Sequence, residues 1–400
     1  MQHRSHLIAA AALLGLGLTA TPAHALVPVY EKGDANLKLG FLLQPQLILS
    51  QHGTTEDGIG IDPFIRRARI MMAGKYNDSV NFFVETDNPN FGKNGDWSGD
   101  TFIQDGFVEF NLGKPLRIDA GMLLIHFSHQ SFQSATSLLG MDYHGGALKY
   151  SSGKVWRDAG VMFRGQLAND KVDYHLSITN GVENVQDFYQ AEVDDGAGNI
   201  TLVDTPYDEA INPSDLPRIV ARVNVNVFDS EDGPGAGGYF YDGIYLGEND
   251  NGKLISTKKI LSIGAAVDYQ GKAVRNGEDL AAWMGIAGDV FWDLPMGDKK
   301  HSLNGQIDFY NYNLGEKNAA NGMGLTGVVG YRIPGVPPLV FVDWWKYAEG
   351  DGSADWMSIG GGVNWWYFGH TANLKAQIGA TEVGGGDFSV AAGLQSQLAF

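Results

Sequence analysis

The sequence contains no cysteine, so its fold is held without disulfide bonds or thiolate metal sites. After residue 25 it also lacks any run of about 18 consecutive apolar residues, which excludes a transmembrane helix in that part of the chain. Helix-forming residues in a periodic arrangement are scarce. These deficits leave few ways to organise 400 residues, and they favour an all-β protein.

The residues that are abundant point the same way. Glycine is the commonest residue, with 54 copies, and aromatic residues make up 11% of the chain. No linker of low complexity divides the sequence, so one large closed sheet is expected rather than several domains. The formal net charge of −18 gives no reason to expect a nucleic-acid partner.

The N-terminus has the features of a secretory signal peptide. A basic start with Arg4 precedes an apolar stretch at 7–20, and the following TPAHA carries Ala23 and Ala25 in an A-x-A cleavage pattern. We therefore expect cleavage between Ala25 and Leu26, which leaves 26–400 as one mature domain. An N-terminal membrane anchor is the alternative.

The C-terminal segment FSVAAGLQSQLAF alternates, with mostly apolar residues on one face and with serine, glycine and glutamine on the other, and it ends on Phe400. Similar alternation recurs along the chain, as expected of the strands of a transmembrane β-barrel. The pattern predicts sixteen strands at 36–51, 63–76, 79–88, 101–112, 115–126, 155–168, 171–181, 216–229, 258–270, 280–293, 300–313, 321–333, 338–348, 354–367, 370–382 and 387–400.

Short and long connections alternate through the first half of this series, which matches the short periplasmic turns and long extracellular loops of such barrels. One connection breaks the rule, because 230–257 is long although it falls on the periplasmic side. It is either a periplasmic excursion or a hidden hairpin, and a hairpin would raise the strand number to eighteen.

In a membrane barrel the apolar residues face lipid and the polar residues face the lumen. The expected inward residues are ten basic and ten acidic, so the wall is close to neutral. The basic set is Lys38, Arg67, Arg69, Lys75, Arg117, Arg164, Arg218, Arg222, Arg332 and Lys375. The acidic set is Glu85, Asp87, Asp105, Glu109, Asp119, Asp268, Asp289, Asp293, Asp308 and Asp343.

Acids and bases are concentrated on different strands, which leaves two interpretations open. Segregated charges would create a transverse field across a pore. Alternatively, the charges pair across strands, for example Arg67 and Arg69 with Glu85 and Asp87. Strict alternation further places Arg66 on the outward face, where it is expected at the level of the lipid headgroups.

Three stretches resemble the phosphate-selective porin O and P family: FIRRARIMMAGKY, VNFFVETD and RDAGVMFRGQLANDKVDYHLSITNG. The resemblance implies a trimeric sixteen-stranded channel in which the loop after the fifth strand, here 127–154, folds inward as a constriction. The residues assigned to that constriction are His126, Ser128, His129, Gln130, Phe132 and Gln133. The loop departs from the phosphate-specific pattern, because its first twenty-two residues contain no lysine or arginine.

Metal-binding and catalytic sites have weaker support in the sequence. His126, His129 and His144 suggest a metal site, but polar residues of the constriction loop are the favoured interpretation. Acidic residues at 193–195 and 206–210 are better explained as solvated loop residues than as divalent-cation ligands. No catalytic motif stands in a fitting context, so neither an enzyme nor a cofactor is expected.

The sequence therefore predicts an outer-membrane porin, a water-filled channel for passive diffusion of small hydrophilic solutes with a mild preference for anions. The alternatives are a phosphate or polyphosphate channel and a barrel-anchored structural or adhesive protein. The expected partners are outer-membrane lipid, lipopolysaccharide and two further copies of the chain in a homotrimer.

Overall fold

The structure is a computed structural model. It describes residues 26–51, 58–143, 156–181, 188–194, 200–206, 216–231, 238–241, 243–248, 254–276, 279–297, 299–313, 321–333, 338–348 and 355–400. The predicted signal peptide with Ala25, the end of the constriction loop with His144, and much of the acidic loop segments lie outside these residues.

Antiparallel strands make up most of the described chain. They are β1 (Val27–Lys32), β2 (Ala35–Gln51), β3 (Ile59–Asn77), β4 (Val80–Asp87), β5 (Phe102–Asn111), β6 (Arg117–Leu124), β7 (Arg157–Leu167), β8 (Val172–Thr179), β9 (Phe188–Asp194), β10 (Ile200–Pro206), β11 (Arg218–Asn226), β12 (Leu246–Glu248), β13 (Leu254–Ser256), β14 (Ile260–Asn276), β15 (Asp279–Met296), β16 (His301–Asn313), β17 (Gly322–Arg332), β18 (Pro338–Ala348), β19 (Trp356–Phe368), β20 (Ala372–Val383) and β21 (Ser389–Ala399).

Helical structure in the described residues is slight. A single turn of α-helix, α1, spans His129–Phe132, and a short 3₁₀ turn spans Lys93–Gly95. No helix in the described parts of the chain has the length and apolar character needed to cross a bilayer.

Sixteen of the strands form a closed wall. They are β2 to β8, β11 and β14 to β21, and each pairs with the next along the chain. The ring closes because β2 pairs with β3 on one side and with β21 on the other. All sixteen predicted strands are present, with their ends shifted by a few residues. The wall is therefore a β-barrel, as the alternation predicted.

The five remaining strands stand outside the ring. β1 pairs with the first residues of β2, and β9 pairs only with β10. β12 and β13 form a hairpin within the long segment 230–257, but this hairpin pairs only with itself. The eighteen-strand alternative is therefore wrong, because the hidden hairpin does not enter the wall.

The two faces of the wall separate by polarity. In β11, Arg218, Arg222 and Asn224 are buried inside the barrel, whereas Ile219 and Val223 are exposed on the outside. In β21, Gln395 and Gln397 face inward, and Leu394 and Leu398 face outward. This distribution is the one expected when lipid surrounds the barrel.

One register shift corrects a predicted facing. Between Gln44 and Pro45 of β2, the pairing with β3 skips Arg66. Proline has no backbone N–H to donate to the ladder, and a β-bulge accommodates the unpaired residue. Phe64 consequently turns inward and is buried. The outward position predicted for Arg66 is wrong, because strict alternation does not continue through a bulge.

Candidate functional site: the interior of the barrel

Two segments fold into the barrel from its opposite ends. The first inward segment, residues 125–143, follows β6, and the second, residues 229–231, 238–241 and 243–248, follows β11. Three wall strands cross the barrel from the start of the first segment to the start of the second, which places them at different ends. The inward fold of the first segment agrees with the predicted constriction, whereas that of the second was not predicted.

The two segments meet inside the barrel and are joined by backbone hydrogen bonds. The Ser134 amide donates to the carbonyl oxygen of Tyr241 at 2.9 Å, and the Tyr241 amide donates to that of Phe132 at 3.0 Å. The hydroxyl of Tyr239 accepts from the Leu124 amide at 2.7 Å. Through these bonds the two segments form one unit that crosses the lumen.

Side chains of the wall hold the second segment in place. Asn304 donates to the carbonyl oxygen of Gly243 at 2.7 Å, and the carboxylate of Asp293 accepts from the Tyr245 amide at 3.0 Å. His370 lies 2.6 Å from the carbonyl oxygen of Ile244. Because these contacts come from several wall strands, the segment is fixed across the width of the barrel.

The predicted basic residues of β3 and β7 are ion-paired. Arg69 donates to Glu85 at 2.9 Å and to Asp87 at 3.0 Å. Arg164 donates to Asp119 at 2.6 Å and also pairs with Glu109. These contacts favour the cross-strand interpretation over segregated charge.

The basic residues of β11 pair in the same way. Arg222 binds Asp289 through two nitrogens at 2.6 and 2.8 Å, which is the bidentate geometry that a guanidinium favours with a carboxylate. Arg218 donates to Asp268, with one contact at 2.8 Å. Both pairs are fully buried.

The arginines of the bulge share a carboxylate of the first inward segment, and Arg67 also donates to Gln44 of β2 at 2.9 Å. Arg66 and Arg67 both donate to the carboxylate of Asp142, and the contact from Arg67 measures 2.6 Å. Burial opposes ionisation, but the two guanidiniums outweigh it and hold the pKa of Asp142 well below its ordinary range. The bulge thus anchors the end of the described part of this segment.

The remaining predicted basic residues differ from one another. The Lys375 ammonium is buried and donates to the carbonyl oxygens of Leu138 at 2.6 Å and Gly140 at 2.8 Å. Arg117 is half-buried near the end of the barrel that carries the short turns, and Lys38 is exposed at the start of β2. Lys375 is therefore a support for the first inward segment.

The predicted acidic residues mostly serve as partners of arginine. Asp105 accepts from Arg157 at 2.8 Å and from the hydroxyl of Tyr239 at 2.9 Å. Asp308 is buried opposite Asp289 in the β15–β16 pair. The side chain of Asp343 lies outside the described set.

The six residues assigned to the constriction are all buried in the barrel. The Ser128 hydroxyl lies 2.8 Å from that of Tyr310, and Phe132 stacks against the guanidinium of Arg222 at 5.0 Å. His126 lies with its Nε2 2.9 Å from the carbonyl oxygen of Tyr239. Gln133 donates to the carbonyl oxygen of Ser137 at 3.5 Å, and Gln130 also has hydrogen-bond partners.

The pKa values of two histidines of the first segment are shifted in opposite directions. Burial, with His175 nearby, lowers the pKa of His126 well below its ordinary value. Burial also acts to lower the pKa of His129, but the charge and hydrogen bond of Glu231, 2.7 Å away, outweigh it and raise that pKa. The contact between His129 and Glu231 therefore links the two segments. Within the described residues, no three acidic or histidine side chains are grouped to hold a metal ion.

Sequence reasoning missed the second inward segment. Its contacts come from Glu231, Tyr239, Tyr241 and Tyr245. The signal that was present is the run of aromatic residues at 239–245, which is unusual in a segment otherwise rich in glycine and acid. Aromatic side chains of this kind are commonly buried.

Comparison with known proteins supports the fold and the resemblance. The sequence model of the phosphate-selective porin O and P family matches residues 53–199, a stretch that runs from β3 through β9 and includes the first inward segment. The resemblance drawn from the arginine-rich β3 is thereby confirmed over this stretch. A sequence search of curated proteins finds no match.

Solved outer-membrane structures are similar across nearly the whole chain. The outer membrane channel DcaP of Acinetobacter baumannii has a TM-score of 0.55 and 13% identity, and the similarity covers 94% of this chain and all of that one. An anion-selective porin from Comamonas acidovorans has a TM-score of 0.55 and 11% identity, covering 92% and 100%.

A trimer form of the outer membrane protein OmpT of Vibrio cholerae has a TM-score of 0.50 and 12% identity, again covering 92% and 100%. At these identities the likeness establishes the fold and nothing finer. The chain thus has the β-barrel fold of outer-membrane porins, and between residues 53 and 199 it resembles the phosphate-selective porin O and P family in sequence.

Proposed function

We propose that the protein is an outer-membrane porin, a channel for passive diffusion of small hydrophilic solutes. The observation that carries this proposal is the closed sixteen-stranded wall, polar inside and apolar outside, that is narrowed from within by residues 125–143. A wall of this size is wide enough to enclose an aqueous channel. The family match and the similar structures, which are porins and channels, support the same conclusion.

The preference for anions stays a prediction. It was based on the inward arginines, of which Arg67, Arg69, Arg164, Arg218 and Arg222 each contact at least one carboxylate. An ion pair of this kind presents little net charge to a passing solute. A preference of either sign is therefore expected to be weak, in keeping with a general diffusion channel.

The phosphate channel remains the second candidate because of the family match over residues 53–199. Phosphate recognition relies on cationic donors that are free to bind it. Residues 125–143 contain no lysine or arginine. Five arginines of the wall bind carboxylates instead, namely Arg67, Arg69, Arg164, Arg218 and Arg222. These observations favour the general channel.

Location and assembly are proposed on the same basis. The signal peptide of residues 1–25, cleaved before Leu26, would direct export to the outer membrane, where lipid and lipopolysaccharide would surround the apolar band. A homotrimer is proposed because one similar structure is a trimer form. Crosslinking of the protein purified from outer membranes tests the assembly, since a species no larger than a monomer would exclude the trimer.

Planar-bilayer recording of the purified protein tests the function. Discrete ohmic current steps with a reversal potential near that of a non-selective pore are the expected result. Small steps that saturate with phosphate would instead support the second candidate. Membranes that contain the protein but never conduct would leave the structural or adhesive role.

A further inference from the structure

The two inward segments fill the middle of the described lumen. Each wall strand apart from β18, whose side chains lie outside the described set, carries buried residues on its inner face. On β11 every inner-face residue from Arg218 to Asn226 is buried, and on β15 the same holds from Trp283 to Asp293. Side chains that faced an open aqueous channel would be exposed instead. A passage on these sides of the barrel therefore requires that one inward segment moves.

Histidines hold the second inward segment by one recurring contact. A ring Nε2 lies within hydrogen-bond distance of a backbone carbonyl oxygen of the segment, and because a carbonyl oxygen only accepts, the Nε2–H donates. The rings come from three places in the chain, which are the first inward segment, β8 and the turn before β20. The contacts are His126 to Tyr239 at 2.9 Å, His175 to Gly238 at 3.1 Å and His370 to Ile244 at 2.6 Å.

The surroundings of these three rings suit the neutral form of histidine. The rings are between 1% and 6% exposed, and a neutral imidazole has one N–H, which each ring uses on the segment. Among the described residues, the Nδ1 atoms of His175 and His370 have no hydrogen-bond partner, and that of His126 faces the Leu124 carbonyl oxygen at 3.1 Å. A proton added to a buried ring without an acceptor costs free energy.

Neighbouring charges add to this cost at two of the rings. His126 and His175 stack with their centroids 4.1 Å apart and an angle of 9° between their planes, so two protonated rings would repel each other. Burial, His175, Arg164 of β7 and Arg222 of β11 together hold the pKa of His126 well below its ordinary value. The carboxylate of Asp173, on the same face of β8, accepts hydrogen bonds from β11 and from the second segment.

The third ring responds to acid in the same direction. Burial, supported by the charge of Lys375 on β20, lowers the pKa of His370 to about 4, although its hydrogen bond to Ile244 acts the other way. A ring that returns to the ordinary pKa of about 6.5 when the segment leaves binds a proton more readily in the undocked state. Docking is therefore fully retained above that ordinary value, and it weakens as the pH falls toward the lowered value.

A fourth histidine contact does not weaken in acid. Burial opposes a charge on His129, but the negative charges of Glu231, Asp289 and Asp308 outweigh burial and raise the pKa of His129. The ring is therefore protonated already at the onset of acidification, and its contact with Glu231 persists. This contact tethers the start of the second segment, so acid acts on the part that follows, residues 238–241 and 243–248, which we call the gate segment.

The first inward segment has supports that acid leaves intact. The Lys375 ammonium binds the carbonyl oxygens of Leu138 and Gly140, and the two arginines of the bulge bind the carboxylate of Asp142. Lysine and arginine stay charged as the pH falls, and the pKa of Asp142 lies well below its ordinary range. Acid therefore acts differently on the two inward segments.

Resting on the proposed channel function, we propose that the gate segment is docked at neutral pH and released by acid, and that His126, His175 and His370 are its latch. The first inward segment stays in place as the constriction. Acid therefore changes the barrel from an occluded state to a wider one without unfolding the wall.

Hydrogen–deuterium exchange, followed by mass spectrometry and corrected for its intrinsic dependence on pH, tests the release without reference to conduction. Between neutral pH and about pH 4, the protection of residues 238–248 is expected to fall severalfold, whereas that of residues 125–143 and of the wall strands stays unchanged. Unchanged protection of residues 238–248 would overturn the proposal. Equal loss of protection in the wall strands would overturn it as well, because the whole barrel would then be unfolding.

Single-channel recording over the same range of pH tests the consequence for conduction. The conductance is expected to rise severalfold on acidification and to return when the pH is restored. A constant or falling conductance in a protein whose residues 238–248 lose protection would overturn the gate. Absence of current at every pH would instead overturn the proposed channel function, and the exchange measurement would still decide whether the segment is released.

A triple variant with a matched control tests the latch. His126→Gln, His175→Gln and His370→Gln together keep an amide N–H for each carbonyl oxygen but remove the titration, so protection and conductance should no longer change with pH. The control is His301→Gln, since among the described residues His301 contacts Tyr331 and not the gate segment, with Nδ1 2.8 Å from the hydroxyl. The control should respond to acid as the parent does. A full response in the triple variant would overturn the proposal.

A single variant covers the case in which the triple variant does not fold. His370→Gln removes one of the three titrating contacts, so residues 238–248 should lose protection at a lower pH than in the parent. An unchanged midpoint in the folded His370→Gln protein would contradict the proposal.

Discussion

The interior of the barrel has two unlike halves. Around β3 to β8, β11 and β14 to β16, charged side chains pair across strands, as in Arg222 with Asp289. Around β19 to β21 the same inner face carries amides, glycines and serines, with Lys375 as the one charged residue among them. The number of charged groups in a lumen is therefore a poor guide to the net charge that a solute meets. Most of the charged groups lie in one half of the barrel, and there they form buried ion pairs.

The largest expected effect comes from breaking a pair in the charged half. Arg222→Gln leaves the Asp289 carboxylate buried without its guanidinium, and removal of one partner of a buried pair costs about 3–5 kcal/mol. Denaturant unfolding of the barrel in detergent measures this loss.

The double variant Arg222→Gln with Asp289→Asn is the control, since it removes both charges. It should recover most of the stability lost in the single variant. If Arg222→Gln has the same free energy of unfolding as the parent, the pair is solvated. The charged half would then not depend on buried ion pairs for its stability.

Two glycines offer a matched comparison of packing. A Cβ at Gly264 would lie 2.2 Å from Arg222 and 2.5 Å from Asp289, so Gly264→Ala must displace an ion pair and is expected to cost about 1–3 kcal/mol. At Gly393 the added methyl group meets the movable end of Met141, and Gly393→Ala should cost less.

Denaturant unfolding of both glycine variants, in the same series as Arg222→Gln, measures the difference in the free energy of unfolding. An equal loss at the two positions would show that the two halves are packed alike.

The link between the inward segments predicts a pH dependence. Because Glu231 raises the folded-state pKa of His129, the pair contributes fully below the ordinary histidine pKa of about 6.5, and its contribution is lost as pH rises through the raised value. The free energy of unfolding should therefore fall as the pH rises across that interval.

The variant His129→Gln should abolish that dependence while it retains a hydrogen-bonding side chain. The measurement is the unfolding free energy of both proteins on either side of neutral pH. An equal slope in the parent and in the variant would assign the titration to another group.

The smallest effect is expected in the amide half. Asn373→Ala removes a side chain that has no partner among the described residues, so the free energy of unfolding should change by less than about 1 kcal/mol. Unfolding in the same denaturant series as Arg222→Gln gives the comparison. A loss as large as that of the broken ion pair would show that this amide contributes as much to the fold as a buried charge pair.

The strands of the barrel wall could be predicted from the sequence. Alternation in β11 and β21 is local, so it predicts both the strands and the face of each residue without knowledge of any partner. Charge pairs such as Arg69 with Glu85 were predicted as one of two interpretations. They could be foreseen because adjacent strands bring their side chains together whatever conformation the loops take.

The rest depends on contacts that no local pattern encodes. The bulge at Arg66 follows from Pro45 on the neighbouring strand, and it matters only once the register of that pair is known. Glycine and acid in 230–257 are typical of a solvated loop, and only the burial of Tyr239 and Tyr241 shows otherwise. The hydrogen bonds from Lys375 and Asn364 to residues 138–140 were not predicted for a similar reason, since the partners lie 237 and 225 residues apart in the sequence.

The supports of the first inward segment have a consequence for the order of folding. Lys375 and Asn364 hold residues 138–140 across sequence separations of 237 and 225 residues. β21 closes the ring on β2 across a still longer span, 349 residues between Gln46 and Gln395. Contacts so distant in sequence form late, after the entropy of closing long loops has been overcome. Residues 138–140 therefore cannot dock on Lys375 and Asn364 until the last three strands have arrived. A chain that stops short of them is expected to form an open sheet with its inward segment exposed, which gives a quality-control protease a simple means to distinguish finished barrels from unfinished ones.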